Sequence, residues 1–457
     1  MKSEKKIKFY PLDSFNVNIL LKNYTDLLKS HYNGRYKMIV NSCDNKLLSY
    51  HHSTTLDHVE FSHPIFHLLN SMIKEIPYCG IYYGIITSCY LSKIITLLQD
   101  TNNISHIDLI LRLNRVQDIV FNYLDQAKQK EELNGLNLIS IVQSALKQLI
   151  LEESFKKLIA VSVVKSVLTA ADESSCRLGH IQIKAVDGKD YCETFNGIIY
   201  KMESLWQPKV IENDHKKYRL MLFTCPLDNS NEEYLKITKD VFIESLVAED
   251  IKIVASQKSI DKKLIFYLRR RNIIALERLG EETANTLAHS SNAFPVSDVS
   301  RVNFQNLSTF FGIVDRVTYI TILDEPYILM EMDRSKVVTL FLSNRSFDTL
   351  DQLKAIIKEC IHAIYSVFKH PWVLPKNFDS NLALELRNFH DPDILLTKLM
   401  NLFAETLEES FSFKENNINS TIDRNDLFLI KRNSLAQAFL SVSKIIQVGM
   451  YIVRNQC

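Results

Sequence analysis

Five of the chain's thirteen histidines fall within one short stretch: His51, His52, His58, His63 and His67. His63 and His67 stand four residues apart, so on a helix they share a face, a spacing that can hold zinc. Spacing fixes no third ligand, and no Cys pair frames them. The expectation is a solvated face or a capping region, with no metal site. A second constellation is basic. Lys262, Lys263, Arg269, Arg270 and Arg271 lie on a helical stretch that follows Asp261. Nucleic-acid binding would want wider basic coverage with interleaved aromatics, and 54 Lys+Arg against 53 Asp+Glu gives a net charge of +1, which lends it no support. A solvated helix face is expected, with protein contact as its functional use; Lys262, Arg269, Arg270 and Arg271 are the contact candidates. GxSxG, HExxH, Walker A and GxGxxG strings are absent, so the common hydrolase, zinc-protease and nucleotide-loop signatures are silent.

Glycine is scarce, at 10 of 457 residues against an average usage of about 7%. Loops that press backbone amides onto phosphates rely on glycine for positive φ and close approach, so such loops are not expected here. A biased genome, rich in Ile, Asn and Lys codons, would lower glycine too and weakens that argument.

These residues must be positioned by a chain of 52.9 kDa, enough for about two to four domains. Eight cysteines are scattered without a CxxC pair, as in reduced cytosolic proteins. Met1 to Lys8 is basic but leads into Phe9-Tyr10-Pro11, with no apolar core of a secretory signal, so a cytoplasmic location is expected. The apolar run Ile81 to Leu98 is interrupted by Thr87, Ser88, Ser92 and Lys93, which favours a buried helix over a membrane span.

The first third is helical by period. Ile65, Leu68, Leu69, Met72 and Ile73 recur at helical spacing after Pro64, followed by apolar-striped segments over 110–124 and 138–168. Short strands are expected at Ile181 to Ala185 and Gly197 to Met202. Next comes strand, helix, strand, helix, strand: 219–224, 238–248, 251–255, 261–271 and 273–276. That alternation predicts a parallel sheet with right-handed crossovers. Strand-like text then runs from Phe310 to Leu342, with Pro326 interrupting it. Helical faces return at Leu353, Ile356, Ile357, Cys360, Ile364, Val367 and Phe368, and at Leu435, Phe439, Val442, Ile445, Ile446 and Val453. The plan is an α/β centre inserted into a helical domain.

With its local strings, that plan resembles a group II chaperonin subunit across nearly the whole chain. Cys225-Pro226-Leu227-Asp228 is similar to the family's CPLE. Ser256-Gln257-Lys258-Ser259-Ile260-Asp261, then Tyr267-Leu268 and Ile273 to Arg278, is similar to its SQKGID…YL…I.AVRR stretch. Gly34 to Val40 sits where the family has GMDKMLV, His63-Pro64 where its second helix begins, and Leu350 to Leu353 looks like its HDAL. Within the class, His63-Pro64-Ile65, Cys79-Gly80 and Pro371-Trp372-x-Leu374 are most similar to the McKusick-Kaufman type of chaperonin-like protein.

The resemblance implies a nucleotide site, and this chain departs from it. The family's GDGTT loop, whose Asp sits beside Mg²⁺, reads Gly80-Ile81-Tyr82-Tyr83-Gly84, and isoleucine cannot ligate a hard cation. The GPxG loop reads His31-Tyr32-Asn33-Gly34, the NDG element falls near His51-His52-Ser53, and PGGGA becomes Pro375-Lys376-Asn377-Phe378-Asp379. Gly34, Lys37, Gly80, Ile81 and Gly84 are therefore degenerate nucleotide positions, and neither ATP nor Mg²⁺ is expected as a cofactor. Asp351 stands where the family carries its water-orienting Asp, but the expectation is an ordinary helix first-turn acid and a catalytic relic.

What the resemblance further implies is an α/β multidomain chaperonin-like fold. Its parts are a helical equatorial domain from 1–150 and 359–457, an intermediate domain from 151–200 and 336–358, and an α/β apical domain over 201–335. Only Asn229 to Ile237 separate Asp228 from the next helix, too short for the family's helical lid protrusion. The implied function is a non-hydrolysing subunit, not an enzyme, that helps assemble a client complex, the ciliary coat complex, with other chaperonin-like and conventional cytosolic chaperonin subunits at a centrosome or basal body. A divergent but active folding ATPase is the alternative.

Overall fold

A computed structural model describes residues 7–11, 15–32, 37–40, 46–49, 55–56, 59, 63–76, 80–100, 104–130, 135–147, 149–172, 177–178, 180–202, 217–227, 241–299, 307, 309–333, 335–411, 427–448 and 450–454. The chain divides into two units, residues 1–160 with 351–457, and residues 161–350.

The first arm runs through β1 (Ile7–Pro11), α1 (Phe15–Tyr32), the hairpin β2 (Lys37–Val40) and β3 (Lys46–Ser49), α2 (Pro64–Glu75), α3 (Gly80–Asp100), α4 (His106–Ala127), β4 (Gln129–Lys130), α5 (Gly135–Leu146) and α6 (Glu153–Ala170). The second unit adds β5 (Ala171–Asp172), β6 (Arg177–Leu178), β7 (Ile181–Asp187), β8 (Tyr191–Asn196), β9 (Ile198–Lys201), β10 (Tyr218–Phe223), α7 (241–248), β11 (Ile251–Ser256), α8 (Lys262–Arg270), β12 (Ile274–Leu276), α9 (Glu281–Ser291), β13 (Phe311–Val314), β14 (Arg316–Ile322), β15 (Glu325–Glu331) and β16 (Val338–Asn344). The return arm is α10 (Phe347–Lys369), β17 (Trp372–Val373), α11 (Phe378–Asn388), α12 (Ile394–Phe411), α13 (Phe428–Val448) and β18 (Met450–Arg454), which pairs antiparallel with β1.

In the first unit α3 is long and apolar enough to cross a bilayer. Instead it is packed by α1, α2, α12 and α13, and every residue from Gly80 to Leu91 is buried. A helix apolar all round needs such a sleeve. Its polar groups are satisfied inside the sleeve. Ser88 Oγ accepts from Thr25 Oγ1 at 2.8 Å, and the Tyr90 hydroxyl donates to Leu399 O at 3.1 Å.

In the second unit the order β12-β11-β10-β13 has three parallel strands with antiparallel β13 at the edge. Successive β10 side chains enter opposite cores. Leu220 and Leu222 join Ile253, Ala255 and Leu287 of α9, whereas Met221 and Phe223 join Val254, Leu246 of α7, and Leu264 and Leu268 of α8. The expected alternation of strands and helices is this doubly covered sheet. Two three-stranded sheets follow, β14-β15-β9 and β7-β16-β8, the latter around a wholly buried β16.

Four local readings are corrected. The stripe read over 138–168 is two helices, broken where Leu149 N–H bonds Leu146 O at 3.1 Å. Between the two strands read at 181–185 and 197–202 lies β8, whose inward residues are Cys192 and Thr194, too mild to mark a strand. Pro326 does not interrupt: it is the second residue of β15. Its missing N–H weakens only the end of the β15–β9 ladder, where Met202 N–H still donates to Pro326 O at 3.0 Å. Val453 belongs to β18, not to the helical face of α13, which ends at Val448. The proposed absence of a lid rests on 229–237, outside the described residues.

Gly197, between β8 and β9, has φ +122°, and a Cβ there would sit 2.2 Å from Met330 O. Gly197→Ala is expected to cost at least about 2 kcal/mol, combining backbone strain with a displaced β15. Urea denaturation of the pair checks it; a loss under about 0.5 kcal/mol would show that β15 yields freely.

Candidate functional site

Gly80 opens α3, so the segment 80–84 is its first turn. Tyr82 leaves that turn fully buried, stacked on Phe411 of α12 at 4.8 Å between ring centroids. Its hydroxyl donates to Asp379 Oδ1 at 2.7 Å. Asp379 lies in the first turn of α11, where a carboxylate suits the helix dipole. Its other oxygen, Oδ2, accepts from Lys431 Nζ of α13 at 2.7 Å, and the two side chains are only 4% and 13% exposed for lysine and aspartate. The Lys431 ammonium also lies 4.9 Å from the Tyr82 ring centroid and 5.1 Å from that of Phe378. The segments 80–84 and 375–379 therefore meet, and they meet through each other's side chains.

The neighbouring residues are equally occupied. Tyr83 donates to Ser441 Oγ at 2.8 Å, and burial pushes its hydroxyl above the usual tyrosine range. Ile81 is buried at 8% exposure. A Cβ on Gly84 would stand 2.7 Å from Ile73 and 2.9 Å from Leu28, so this glycine serves the close approach of α1 and α2 to α3. Gly34 and residues 51–54 lie outside the described residues, and of Lys37 only the β2 backbone is described.

Asp351 is exposed on α10 and pairs with Lys354 at 3.3 Å. His63 is the N-cap of α2, its Nδ1 accepting the Ile65 N–H at 3.2 Å ahead of Pro64 at the first helical position. The capping expectation holds for His63, while His67 faces out on the same helix. His51, His52 and His58 are outside the described residues.

In the second unit Asp261 caps α8 by accepting the Lys263 N–H at 2.8 Å. Leu264 and Leu268 anchor the helix, leaving Lys262, Phe266, Tyr267 and Arg270 exposed. Arg269 is half-buried and Arg271 is the exposed C-cap. Sequence reasoning missed Phe266 and Tyr267, at 58% and 45% exposure. Their position off the Leu264/Leu268 stripe was the available signal. The strings 225–227 and 256–261 form one knot: Leu227 N–H bonds Ser259 O at 2.9 Å, Asp261 N–H bonds Leu227 O at 2.8 Å, and Glu277 Oε2 accepts the Ile260 N–H at 2.9 Å.

A family model described as the TCP-1/cpn60 chaperonin family matches residues 32–393. The molecular chaperone MKKS of Pongo abelii is 20% identical over 436 residues, covering 85% of this chain and 74% of that protein. The molecular chaperone MKKS of Mus musculus is 25% identical over 129 residues, 28% of this chain and 22% of that one. Thermosome subunit alpha of Halobacterium salinarum is 20% identical over 259 residues, 52% of this chain and 46% of the archaeal one. The mouse and archaeal alignments thus span less than half of those relatives.

The buried pair gives a direct test. Asp379→Asn keeps an acceptor for Tyr82 but leaves the Lys431 charge unmatched, and it is expected to cost about 3–5 kcal/mol. Adding Lys431→Met should recover much of that loss. Urea denaturation of the two single variants and the double variant gives the coupling, and a value below about 0.5 kcal/mol would mean that the pair is not a structural unit.

Proposed function

The chain belongs to the TCP-1/cpn60 chaperonin family, and from that premise we propose that it is a non-hydrolysing chaperonin-like subunit that assists folding or assembly of a client complex. The carrying observation is the 2.7 Å bond between Tyr82 and Asp379. The resemblance puts phosphate and metal handling at 80–84 and 375–379. Both oxygens of the one carboxylate there are engaged, by a phenol and an ammonium, and aromatic rings fill the space beside it. These residues do not fit Mg²⁺-ATP: the metal-binding position is isoleucine, and Tyr82, Lys376, Asn377 and Phe378 stand where the family's loops have glycine. Asp351 pairs with Lys354, and without Mg²⁺-ATP to act on it is a relic in this reading.

The α/β unit then serves as a binding surface in a mixed assembly. The α8 face offers Phe266 and Tyr267 beside Lys262, Arg270 and Arg271, an aromatic and cationic set suited to acidic partner segments. Partners in this proposal are other chaperonin-like subunits and cytosolic chaperonin subunits. The client proposed from the McKusick-Kaufman resemblance is the ciliary coat complex, at a centrosome or basal body within the cytoplasm. The division into equatorial, intermediate and apical parts at 150, 200, 335 and 358 belongs to the same proposal.

Titration calorimetry of the purified chain with ATP and an inert analogue, with and without Mg²⁺, is expected to give no saturable heat in the micromolar range, where a Kd of about 1 μM corresponds to about −8 kcal/mol. Saturable Mg²⁺-dependent heat would support an active folding ATPase instead. For the surface, Arg270→Glu with Arg271→Glu is expected to reduce capture of chaperonin subunits from cells by about tenfold while leaving the melting temperature unchanged. Undiminished capture by that variant would remove α8 from the interface.

A further inference from the structure

Three cationic side chains, none of them on α8, line one concavity of the second unit. Its walls are β7, the end of β9 and the turn from β12 into α9, with Lys184, Tyr200, Lys201, Glu277, Arg278 and Thr283 among the lining residues and a volume of about 290 Å³. The frame is held firmly. The Tyr200 hydroxyl donates to Glu277 O at 2.8 Å and accepts the Glu277 N–H at 3.2 Å. Arg278 takes φ +54°, fixed by its N–H bond to Lys258 O at 2.8 Å.

The charges lining this space are not balanced within it. Glu277 is the one carboxylate among those residues, and its Oε2 is tied to the Ile260 N–H. Lys201 reaches Glu325 at 3.2 Å on a half-exposed rim. Lys184 Nζ donates to Ile199 O at 3.1 Å and lies 5.7 Å from the Tyr327 ring centroid, and among the described residues no carboxylate comes within 4 Å of it. Burial, and then the Lys201 charge, push the Lys184 ammonium down to about 8. A half-buried ammonium set beside a second cation gains from an arriving counter-charge.

We propose that this concavity binds a small anion, a carboxylate or phosphoryl group held between Lys184, Lys201 and Arg278. Its volume is at the lower edge of the roughly 300–1,000 Å³ typical of drug-sized ligands, so the ligand is compact. Lysine ammoniums and a guanidinium supply donors to either group, and the two sources are told apart by experiment.

The full chain is titrated at constant ionic strength with inorganic phosphate and, separately, with succinate, read by calorimetry and by ¹³C NMR of reductively methylated lysines. Saturation by at least one is expected, with the Lys184 signal moving. Phosphate alone marks a phosphoryl ligand, succinate alone a carboxylate, and both a general anion site. Lys184→Met should weaken binding at least about tenfold without lowering the melting temperature. If Lys184→Met fails to fold, Arg278→Gly, which tolerates the positive φ, must show the same loss. No saturation by either anion below about 10 mM, or binding by the folded variant within about twofold of the parent, would overturn the proposal.

Discussion

A lysine and an aspartate can be buried in a helical core only if they find each other, because an unmatched charge out of water costs several kcal/mol. In the first unit Lys431 and Asp379 meet that condition, and the Tyr82 hydroxyl supplies the third member. The junction binds the N-terminal turns of α3 and α11 to α13, elements brought together from both arms of the chain. Phe378 and Phe411 flank it, and the rings of Phe378 and Tyr82 receive the ammonium. Moving any of these helices would expose or orphan the pair, which fixes the relative placement of all three.

The chain's scarcity of glycine fits this arrangement. Where a backbone would have to approach a bound group closely, it carries Ile81, Tyr82 and Phe378, which bring their own volume to the core. Gly84, which stands where the family's loop has a threonine, does not contradict this, for the space in front of it is taken by Ile73 and Leu28. A glycine in such a segment can thus serve helix packing alone.

Much of the fold was legible in the residues. The period-2 and period-3.6 switches located the parallel sheet and its covering helices, because both faces of β10 and β11 must be apolar when helices lie on each side. β8 escaped because Cys192 and Thr194 do the inward packing that Val or Ile usually does, and Pro326 misled because sequence alone does not show that its N–H-free nitrogen falls at a ladder's end. For the site, the residue types at 80–84 and 375–379 were visible, but how they pair was not. Asp379 lies 297 residues from Tyr82 and 52 from Lys431, and no local pattern announces a partner at such distance.

Where the family resemblance is strongest also has a physical reason. The strings at 225–227 and 256–261 donate and accept main-chain hydrogen bonds to one another, and Ser256 Oγ accepts the Lys258 N–H at 3.1 Å while donating to Cys225 O at 3.2 Å. Replacing Ser256 removes the side-chain partner of the Lys258 N–H and the Cys225 carbonyl, a cost of about 1–3 kcal/mol. His63-Pro64 is held by the same logic at the start of α2. Segments 80–84 and 375–379 sit at helix starts too, yet their side chains are free to change so long as the volume is filled and charges are paired. A chain relieved of phosphate chemistry, as proposed for this one, would therefore change at those positions and keep its knots and caps.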